Sequence, residues 1–366
     1  MNATATNAGL PRMQVIGSTA VIIGGAGLFL IGAAGDPQRI WANLLAASYG
    51  VLSLGLGGAV WLALFYVTGA RWSEGIRPVA ESLTQLLPVG AVGVVFVLIA
   101  APSLYPWIAD AGETGSHFQA LWLSRPFFLL RSLIYLALWL GFGFLLVRAS
   151  RRKDDTRVRV SAVFLVVFAI TFWLASVDWI MSMEPKWSST IFGVYHFAGM
   201  ILAALAGIIV VAIWLEHRGT LGGSLTHNHL RDLGTLLFSF SSFWAYTWFC
   251  QYLLIWYVNN PEETEYFVRR QQDAWGPLFL ANVVLNWGVP FVVLLFRPAK
   301  ESPLVLVIVA GIVLLGRALD LYLMVLPAVP GSEPMIADAG LFAATMGLAA
   351  LIVARPFPFE ASILEH

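Results

Sequence analysis

The chain has 366 residues, of which 59% are hydrophobic and 11% are charged, and its mean hydropathy is +0.78. This composition lies well outside the range of soluble domains and predicts a helical membrane protein that crosses the bilayer many times. A formal net charge of zero argues against a nucleic-acid partner, and the single cysteine, Cys250, excludes a disulfide framework or an iron–sulfur cluster bound by this chain alone.

Ten apolar stretches are long enough to cross a bilayer as helices, because a span needs about 20 mostly apolar residues. The predicted fold is a single all-α polytopic membrane domain over residues 1–366, in which spans two to nine could make two four-helix bundles with spans one and ten at the periphery. In chain order the stretches cover residues 13–34, 40–69, 80–101, 126–147, 158–181, 190–215, 233–258, 275–296, 303–326 and 335–354.

The distribution of lysine and arginine predicts the orientation of the chain. With the N-terminus inside, the cytoplasmic segments hold fourteen basic residues and the outer segments hold five. Cytoplasmic loops are enriched in positive charge, so both termini are predicted to be cytoplasmic. The outer loops are then the ones that carry Glu184, Glu262, Glu263, Glu265 and Asp338.

Polar residues inside or beside the spans are concentrated toward the predicted outer side. A helical rise of about 1.5 Å per residue places Asp178 near the outer end of span five and His196 about 10 Å below the outer face in span six. Ionisable groups at membrane depth are energetically costly, so each is a candidate functional site. The candidates are Arg131, Asp178, Glu184, His196, Gln251, Arg317 and Asp320, with Asn282 also in the outer half.

The direction in which one of these candidates faces can be predicted from its neighbours. Gly199, Ala203 and Gly207 follow His196 at helical spacing. Rows of small residues usually mark contacts between membrane helices. His196 is therefore expected to face into a bundle rather than toward lipid.

Each candidate also has a purely structural interpretation. Arg317 and Asp320 are spaced i, i+3 and can pair on one helix. Arg131 and Asp178 could form an ion pair between spans four and five, and His196 could be a core histidine satisfied by a backbone carbonyl or a hydroxyl. The residue types alone leave both interpretations open.

Quinol oxidation is the chemistry that suits this group of residues. A quinol needs an acceptor for each hydroxyl proton, such as a histidine or a carboxylate, and an apolar slot for its ring. The same residues would equally suit a proton path without a quinone. Haem b is not expected, because a bis-histidine haem needs two facing histidines and only His196 lies in a span; no metal-ligand spacing or phosphate-binding loop occurs.

Three segments of the chain resemble a known family. They are DWIMSMEPKWSSTIFGVYHFAG (178–199), HNHLRDLGTLLFSFSSFWAYTWFCQYLLIWYVNNPEET (227–264), and the RPAK turn (297–300) with the span that carries Arg317 and Asp320. They are similar to the ActF-type, or quinone-binding, membrane subunit of alternative complex III, within the NrfD/polysulfide-reductase membrane-subunit superfamily. The resemblance covers roughly residues 40–330.

The resemblance implies a ten-helix subunit of a quinol:cytochrome c or electron-carrier oxidoreductase in the bacterial inner membrane. Its partners would be lipid, a homologous membrane subunit, and periplasmic iron–sulfur and multihaem cytochrome c subunits, which hold the haem and iron–sulfur clusters. No covalently bound cofactor is expected on this chain, and a quinone or quinol is a candidate ligand. In such complexes the homologous subunit is implied to oxidise quinol, with this type serving proton conduction or assembly.

On this basis we expect Arg131, Asp178 and His196 to form the core of the site, whether it is quinone-proximal or proton-conducting. Glu184 would connect this core to the outer surface and Gln251 would line it. A second polar station is expected at Arg317 and Asp320.

Three other functions remain open from the sequence. The chain could be a scaffold that docks periplasmic subunits through the acidic loop at 261–265, or a membrane anchor for a molybdopterin oxidoreductase. A secondary transporter ranks lower, because such folds usually show broken helices near the bilayer midplane and inverted repeats, and the Gly and Pro interruptions within these spans are modest.

Overall fold

The computed structural model describes residues 12–109, 117–152 and 156–354 and is 84% helical, with no strand in those ranges. One helical segment, Trp275–Leu294, contains a π-helical turn at Val284–Gly288. The α-helices in those ranges are α1 (Arg12–Gly32), α2 (Pro37–Val67), α3 (Arg77–Thr84), α4 (Leu87–Ala100), α5 (Pro106–Ala109), α6 (His117–Trp122), α7 (Arg125–Arg152), α8 (Thr156–Trp179), α9 (Phe192–His217), α10 (His227–Val258), α11 (Pro261–Gln271), α12 (Trp275–Val283), α13 (Val289–Leu294), α14 (Arg297–Glu301), α15 (Pro303–Val325) and α16 (Asp338–Val353).

Eight helical segments of the described residues are long and apolar enough to cross a membrane, which agrees with the predicted multi-pass character. They are α1, α2, α3 with α4, α7, α8, α9, α12 with α13, and α15. α10 has 32 residues and is not among these eight segments. It starts six residues before the predicted span, with the mostly polar sequence HNHLRD. α16 has 16 residues and begins at Asp338 rather than at residue 335.

Local sequence signals explain where several of these helices begin. Asp36, Asn260 and Ser302 each stand directly before a proline, and each side-chain oxygen accepts a hydrogen bond from a backbone N–H in the first turn of α2, α11 or α15. A capping side chain satisfies a backbone donor that has no partner inside the helix, and proline at the first helical position loses no hydrogen bond. These caps place the three helix starts near the predicted span ends.

Many of the helix contacts lie within two sets of four helical segments, whereas the most extensive contact of a single helix pair is that between α1 and α16. The first set consists of α2, α4, α7 and α8. In the second set α10 and α15 pack against α9, and the α12–α13 segment packs against α10 and α15. α2 and α9 also contact each other and so join the two sets. They form the centre of the molecule, since 83% of the most apolar stretch of α2 and 72% of that of α9 are buried, against 6% for α1.

Small residues allow the two central helices to approach closely. A Cβ atom added to Gly57 of α2 would lie 2.3 Å from the Cβ of Ala204 on α9. The same is true of the peripheral pair, where a Cβ on Gly25 of α1 would lie 2.4 Å from the carbonyl oxygen of Gly340 on α16. Close approach through glycine and alanine is the usual way in which membrane helices gain packing contacts.

Candidate functional site

Buried ion pairs gather at one end of the helices, where α2, α7, α9 and α16 begin and α8, α10 and α15 end. We call this the carboxylate end. A buried charge is tolerated when it is paired and its remaining hydrogen-bonding capacity is satisfied. Four such pairs lie here: Arg131–Asp178, Glu184–Arg270, Arg317–Asp320 and Arg39–Asp338. In the third pair, Arg317 Nε and Nη2 have no hydrogen-bond partner within the described part of the chain.

Asp178, at the end of α8, receives four hydrogen bonds. The Arg131 guanidinium donates to both carboxylate oxygens at 3.1 and 2.9 Å, Trp122 Nε1 donates at 3.0 Å, and the Tyr135 hydroxyl donates at 3.1 Å. Arg131 also lies over the Trp122 ring, with its Cζ 4.0 Å from the ring centroid. The predicted pairing of Arg131 with Asp178 is confirmed, and the pair is enclosed by aromatic side chains.

Asp320, near the end of α15, also receives four hydrogen bonds, here from four different helical segments. Arg317 Nη1 donates to Oδ2 at 2.5 Å and Trp244 Nε1 donates to the same oxygen at 3.3 Å. Asn282 Nδ2 donates to Oδ1 at 3.0 Å, and the Tyr195 hydroxyl donates to Oδ1 as well. The predicted Arg317–Asp320 pair is therefore the centre of a network that joins α9, α10, α12 and α15.

A π-helical turn supports this network from one side. Asn286 lies in that turn, and its Nδ2 donates to Asn282 Oδ1 at 2.8 Å. Asn282 is thereby held with its own amide nitrogen toward Asp320. π-helical turns within α-helices are frequent at functional sites.

His196 is fully buried between α2 and α9, which confirms that it faces into the helices. Its Nδ1 lies 3.2 Å from the Tyr49 hydroxyl, and its Nε2 has no hydrogen-bond partner within the described part of the chain. Gly199 follows His196 by one helical turn on α9, and a Cβ added to Gly199 would be 2.3 Å from Nη1 of Arg317 on α15. Arg317 therefore packs against the side of α9 that carries His196. The glycine row predicted as a helix contact therefore also makes room for a guanidinium.

The structure divides the core that the sequence predicts. No hydrogen bond or ion pair within the described residues joins His196 to Arg131 or Asp178. Two aromatic residues lie between them: the Tyr49 ring contacts the His196 ring at a centroid distance of 5.6 Å and the Trp179 ring at 6.0 Å. Asp178 faces α7, whereas His196 faces α2 and lies one helical turn from Gly199, against which Arg317 packs.

Glu184 lies at the carboxylate end in the connection between α8 and α9, and its partners are on α11. Arg270 Nη2 donates to Glu184 Oε1 at 2.6 Å, and Arg269 Nη1 lies 3.6 Å from Oε2. Arg270 also donates to the carbonyl oxygens of Leu323 and Met324 in the last turn of α15, at 2.7 and 3.0 Å. Arg270 lies between the predicted spans 233–258 and 275–296, and no pairing with Glu184 was predicted for it.

A second contact joins α11 to the same connection. The rings of Trp187 and Tyr266 are stacked, with centroids 3.8 Å apart and an interplanar angle of 9°. The Arg270 guanidinium also lies over the Tyr266 ring, with its Cζ 3.4 Å from the ring centroid. Burial raises the pKa of Tyr266 to about 12, so its phenol is neutral near pH 7 and the stack carries no tyrosinate charge.

A small cavity lies beside Asp320, bounded by α9, α10, α11, α12 and α15. Its volume is about 20 Å³, and a cavity of about 10–15 Å³ is enough for one water molecule. Gln251 is 3% exposed, and its Nε2 has no partner among the residues that the structure describes. The predicted candidates Gln251 and Asp320 thus meet at one cavity, where Tyr195, Asn282 and Arg270 also contribute to the wall.

The pair formed by Arg39 and Asp338 was not identified from the sequence. Arg39 Nε donates to Asp338 Oδ1 at 2.9 Å, and Asn43 Nδ2 and the Tyr322 hydroxyl donate to the same carboxylate at 2.9 and 2.5 Å. These contacts tie α2, α15 and α16 together. The two ionic partners are 299 residues apart in the chain, so no local spacing could have shown them.

The opposite end of the helices has a smaller polar group. Ser150, near the end of α7, donates to Glu81 Oε1 on α3, and the Tyr66 hydroxyl of α2 hydrogen-bonds to Ser150. No ionisable side chain links this group to the carboxylate end through the hydrogen bonds of the described residues. Between them the helices are filled by apolar side chains of α2 and α9.

The described residues contain no group of three or more histidine, cysteine, aspartate or glutamate side chains that could hold a metal ion. No known protein-family profile matches the chain, and a search of curated proteins finds no significant match. The arrangement can therefore be interpreted only from its own chemistry: paired carboxylates, one buried imidazole with an unused nitrogen, and a cavity of the size of a water molecule.

Proposed function

We propose that the chain is a membrane subunit of a respiratory quinol:electron-acceptor oxidoreductase of the alternative complex III type, and that its own part is a proton-handling site at the carboxylate end. The observation that carries this proposal is the Asp320 network beside its cavity. A carboxylate, a guanidinium and an imidazole buried in apolar helices are expensive to maintain, so a role in moving charge or protons accounts for them.

The size of the cavity favours proton transfer over quinone binding at this point. Pockets for ligands of the size of a drug molecule are about 300–1,000 Å³, whereas the cavity beside Asp320 is about 20 Å³. A water molecule held by Gln251 and the Asp320 network would fit, and a quinone ring would not. A quinone-proximal role then means that quinol is oxidised nearby, in a homologous membrane subunit, and that released protons reach this site.

The residues suit such a transfer in different ways. Asp320 is held by four donors, so it fixes a negative charge beside the cavity rather than exchanging its partners. His196 has an unused Nε2 and places its Nδ1 beside the Tyr49 hydroxyl. An imidazole can accept a proton on one nitrogen and release one from the other, which makes His196 the proposed carrier.

The proposal includes the finer features expected from the sequence. The chain would have ten spans grouped as two four-helix bundles with α1 and α16 peripheral, in the bacterial inner membrane with both termini cytoplasmic. The carboxylate end would then face the periplasm. Its partners would be a homologous membrane subunit and periplasmic iron–sulfur and multihaem cytochrome c subunits, and no redox centre would reside on this chain.

A scaffold is the second candidate function. Glu262 and Glu265 are exposed on α11 at the carboxylate end. They would present negative charge to a partner that lies outside the membrane. In that case substitutions at Asp320 would reduce the amount of assembled complex rather than its rate.

The test is to purify the tagged chain from membranes of its own host, identify the subunits that accompany it, and measure quinol oxidation and proton release by the complex. Asp320→Asn keeps the size of the side chain and removes its charge. We expect at least a tenfold lower turnover with the complex assembled. Asp338→Asn is the matched control, because it neutralises a buried, ion-paired carboxylate at the same end that does not line the cavity.

A second variant separates the site from the ion pair. Gln251→Leu removes the unpartnered amide from the cavity and leaves Arg317 and Asp320 in place. Lower turnover in this variant is also expected. Full turnover in both Asp320→Asn and Gln251→Leu would rule out a proton-handling role, and co-purification without any haem-containing or iron–sulfur subunit would rule out the proposed complex.

A further inference from the structure

α11 differs from every other helix that bounds the cavity. It has 11 residues, does not continue into a longer helical segment as α12 does, and is amphipathic: Tyr266, Phe267 and Arg270 are buried, while Glu262 and Glu265 are exposed. All three buried residues line the cavity beside Asp320. The cavity is therefore closed on one side by a short surface helix, whereas its other walls are long helices of the apolar body.

Both ends of α11 carry an unusual backbone conformation. Asn259 has φ of +52° and Asp273 has φ of +48°, and these are the two residues other than glycine with positive φ in the described ranges. Asparagine and aspartate adopt this left-handed conformation more readily than other residues with a side chain. Asn259 precedes α11 by two residues and Asp273 follows it by two, so the chain leaves helical geometry on both sides of α11, as hinge positions at element ends do.

Polar and aromatic contacts hold α11 against the body of the molecule. Arg270 bonds to Glu184, while Tyr266 stacks on Trp187. Arg270 also donates buried hydrogen bonds to the carbonyl oxygens of Leu323 and Met324 on α15, which must be released when α11 moves. Glu184 and Trp187 lie in the connection between α8 and α9, and the side chain of Glu184 is 14% exposed. Water can therefore reach the ion pair and compete for it, in contrast to the Arg317–Asp320 pair, whose side chains are 5% and 1% exposed.

We propose that α11 is a lid over the Asp320 cavity and that the Glu184–Arg270 pair is its latch. When the latch opens, α11 turns about Asn259 and Asp273, and water and small polar solutes from the adjacent aqueous phase reach Gln251 and Asp320. With the latch closed, Arg270 and Tyr266 separate the cavity from that phase. This role of the lid rests on the proposed function: the lid determines when the proton-handling site exchanges protons with water.

Access to the cavity can be measured without any assay of turnover. Cys250→Ser removes the single native cysteine, and Gln251→Cys then places one thiol in the cavity wall. The rate at which this thiol reacts with a small cationic methanethiosulfonate reagent is measured in purified protein in detergent. We expect Glu184→Gln to raise the rate at least fivefold, because it removes the charge of the latch while keeping the size of the side chain.

Glu265→Gln is the matched control. It removes a carboxylate of α11 itself, which pairs with Arg269 of the same helix at 2.7 Å, is exposed, and is not part of the latch. As a second control, Glu262→Cys in place of Gln251→Cys puts the single thiol at an exposed position, where it should react equally fast with and without Glu184→Gln. Trp187→Leu, which removes the ring stack and leaves the ion pair, is a second opening variant in case Glu184→Gln yields too little protein.

The two proposals fail in distinguishable ways. If neither Glu184→Gln nor Trp187→Leu raises the labelling rate above that of Glu265→Gln, the lid is ruled out, and the role of Asp320 is unaffected. If labelling rises as expected but Asp320→Asn and Gln251→Leu both retain full turnover, the lid stands and the proton-handling role is ruled out.

Discussion

Asp178 and Asp320 are alike in their bonding and different in their surroundings. Each carboxylate is paired with an arginine and receives four hydrogen bonds. Asp178 is enclosed by the aromatic side chains of Trp122 and Tyr135, whereas Asp320 borders a cavity in which the amide of Gln251 has no partner among the described residues. Equal burial and equal pairing therefore do not imply equal roles: the first site suits stability, and the second has space for a reactant.

The largest losses of stability are expected from substitutions that remove the arginine paired with Asp178 or with Asp320. Arg131→Leu and Arg317→Leu each leave a buried carboxylate without its cation, and removing one partner of a buried pair costs about 3–5 kcal/mol. Both variants should lose most of the folded protein, as measured by yield and by thermal unfolding in detergent. Arg297→Leu is the control, since its pair with Glu301 on α14 is exposed and should contribute little.

Near-normal thermal unfolding of Arg131→Leu would show that Asp178 does not depend on its partner. It would also remove the basis for comparing the two sites, because their shared bonding would then have no common consequence. The double variant Arg131→Leu with Asp178→Leu should recover part of the lost stability, since it replaces a charge pair with apolar groups.

A second prediction changes only the Asp320 side. Gly199→Ala would place a methyl group 2.3 Å from Arg317 Nη1 and 2.7 Å from Cζ. Arg317 must then move, and Asp320 loses its ion pair with Arg317, so we expect at least a tenfold loss of turnover. The cost in stability should be smaller, about 1–3 kcal/mol, as for other overpacked sites.

Gly311→Ala is the matched control for this substitution. It lies on α15, as Arg317 does, and a Cβ there meets no atom within 4 Å. Alanine favours helix over glycine by about 1 kcal/mol, so this variant should be as stable as the parent or slightly more stable. Equal turnover in the two variants would mean that the position of Arg317 is unimportant.

The sequence predicts the helices better than it predicts the site, for a physical reason. Apolar stretches of about 20 residues leave little choice but a helix in a bilayer, and the cap residues fix several starts. The pairing of Arg317 with Asp320 was predictable because it lies within one helical turn. Arg270 and Tyr266 were not predictable, because α11 is a short polar segment that reads as a loop, and its contacts depend on how distant helices are placed.

The separation of His196 from Asp178 illustrates the same limit. The two residues flank one short connection, which suggests proximity. Each, however, faces a different neighbour: Asp178 bonds to α7 and His196 to Tyr49 on α2. Their depth follows from helical rise, whereas the direction in which they point relative to other helices follows from packing, which one sequence does not reveal.

The smallest expected effect compares the two hydroxyl groups that contact the candidates. Tyr49→Phe removes the partner of His196 Nδ1 and keeps the ring, and Tyr135→Phe removes one of four donors to Asp178. Each should lower stability by about 1 kcal/mol, the usual net contribution of one hydrogen bond. If His196 carries protons, Tyr49→Phe should also slow proton release severalfold, whereas Tyr135→Phe should not. Equal rates in the two variants, measured in the same purified complex, would assign His196 the structural role that Asp178 already has.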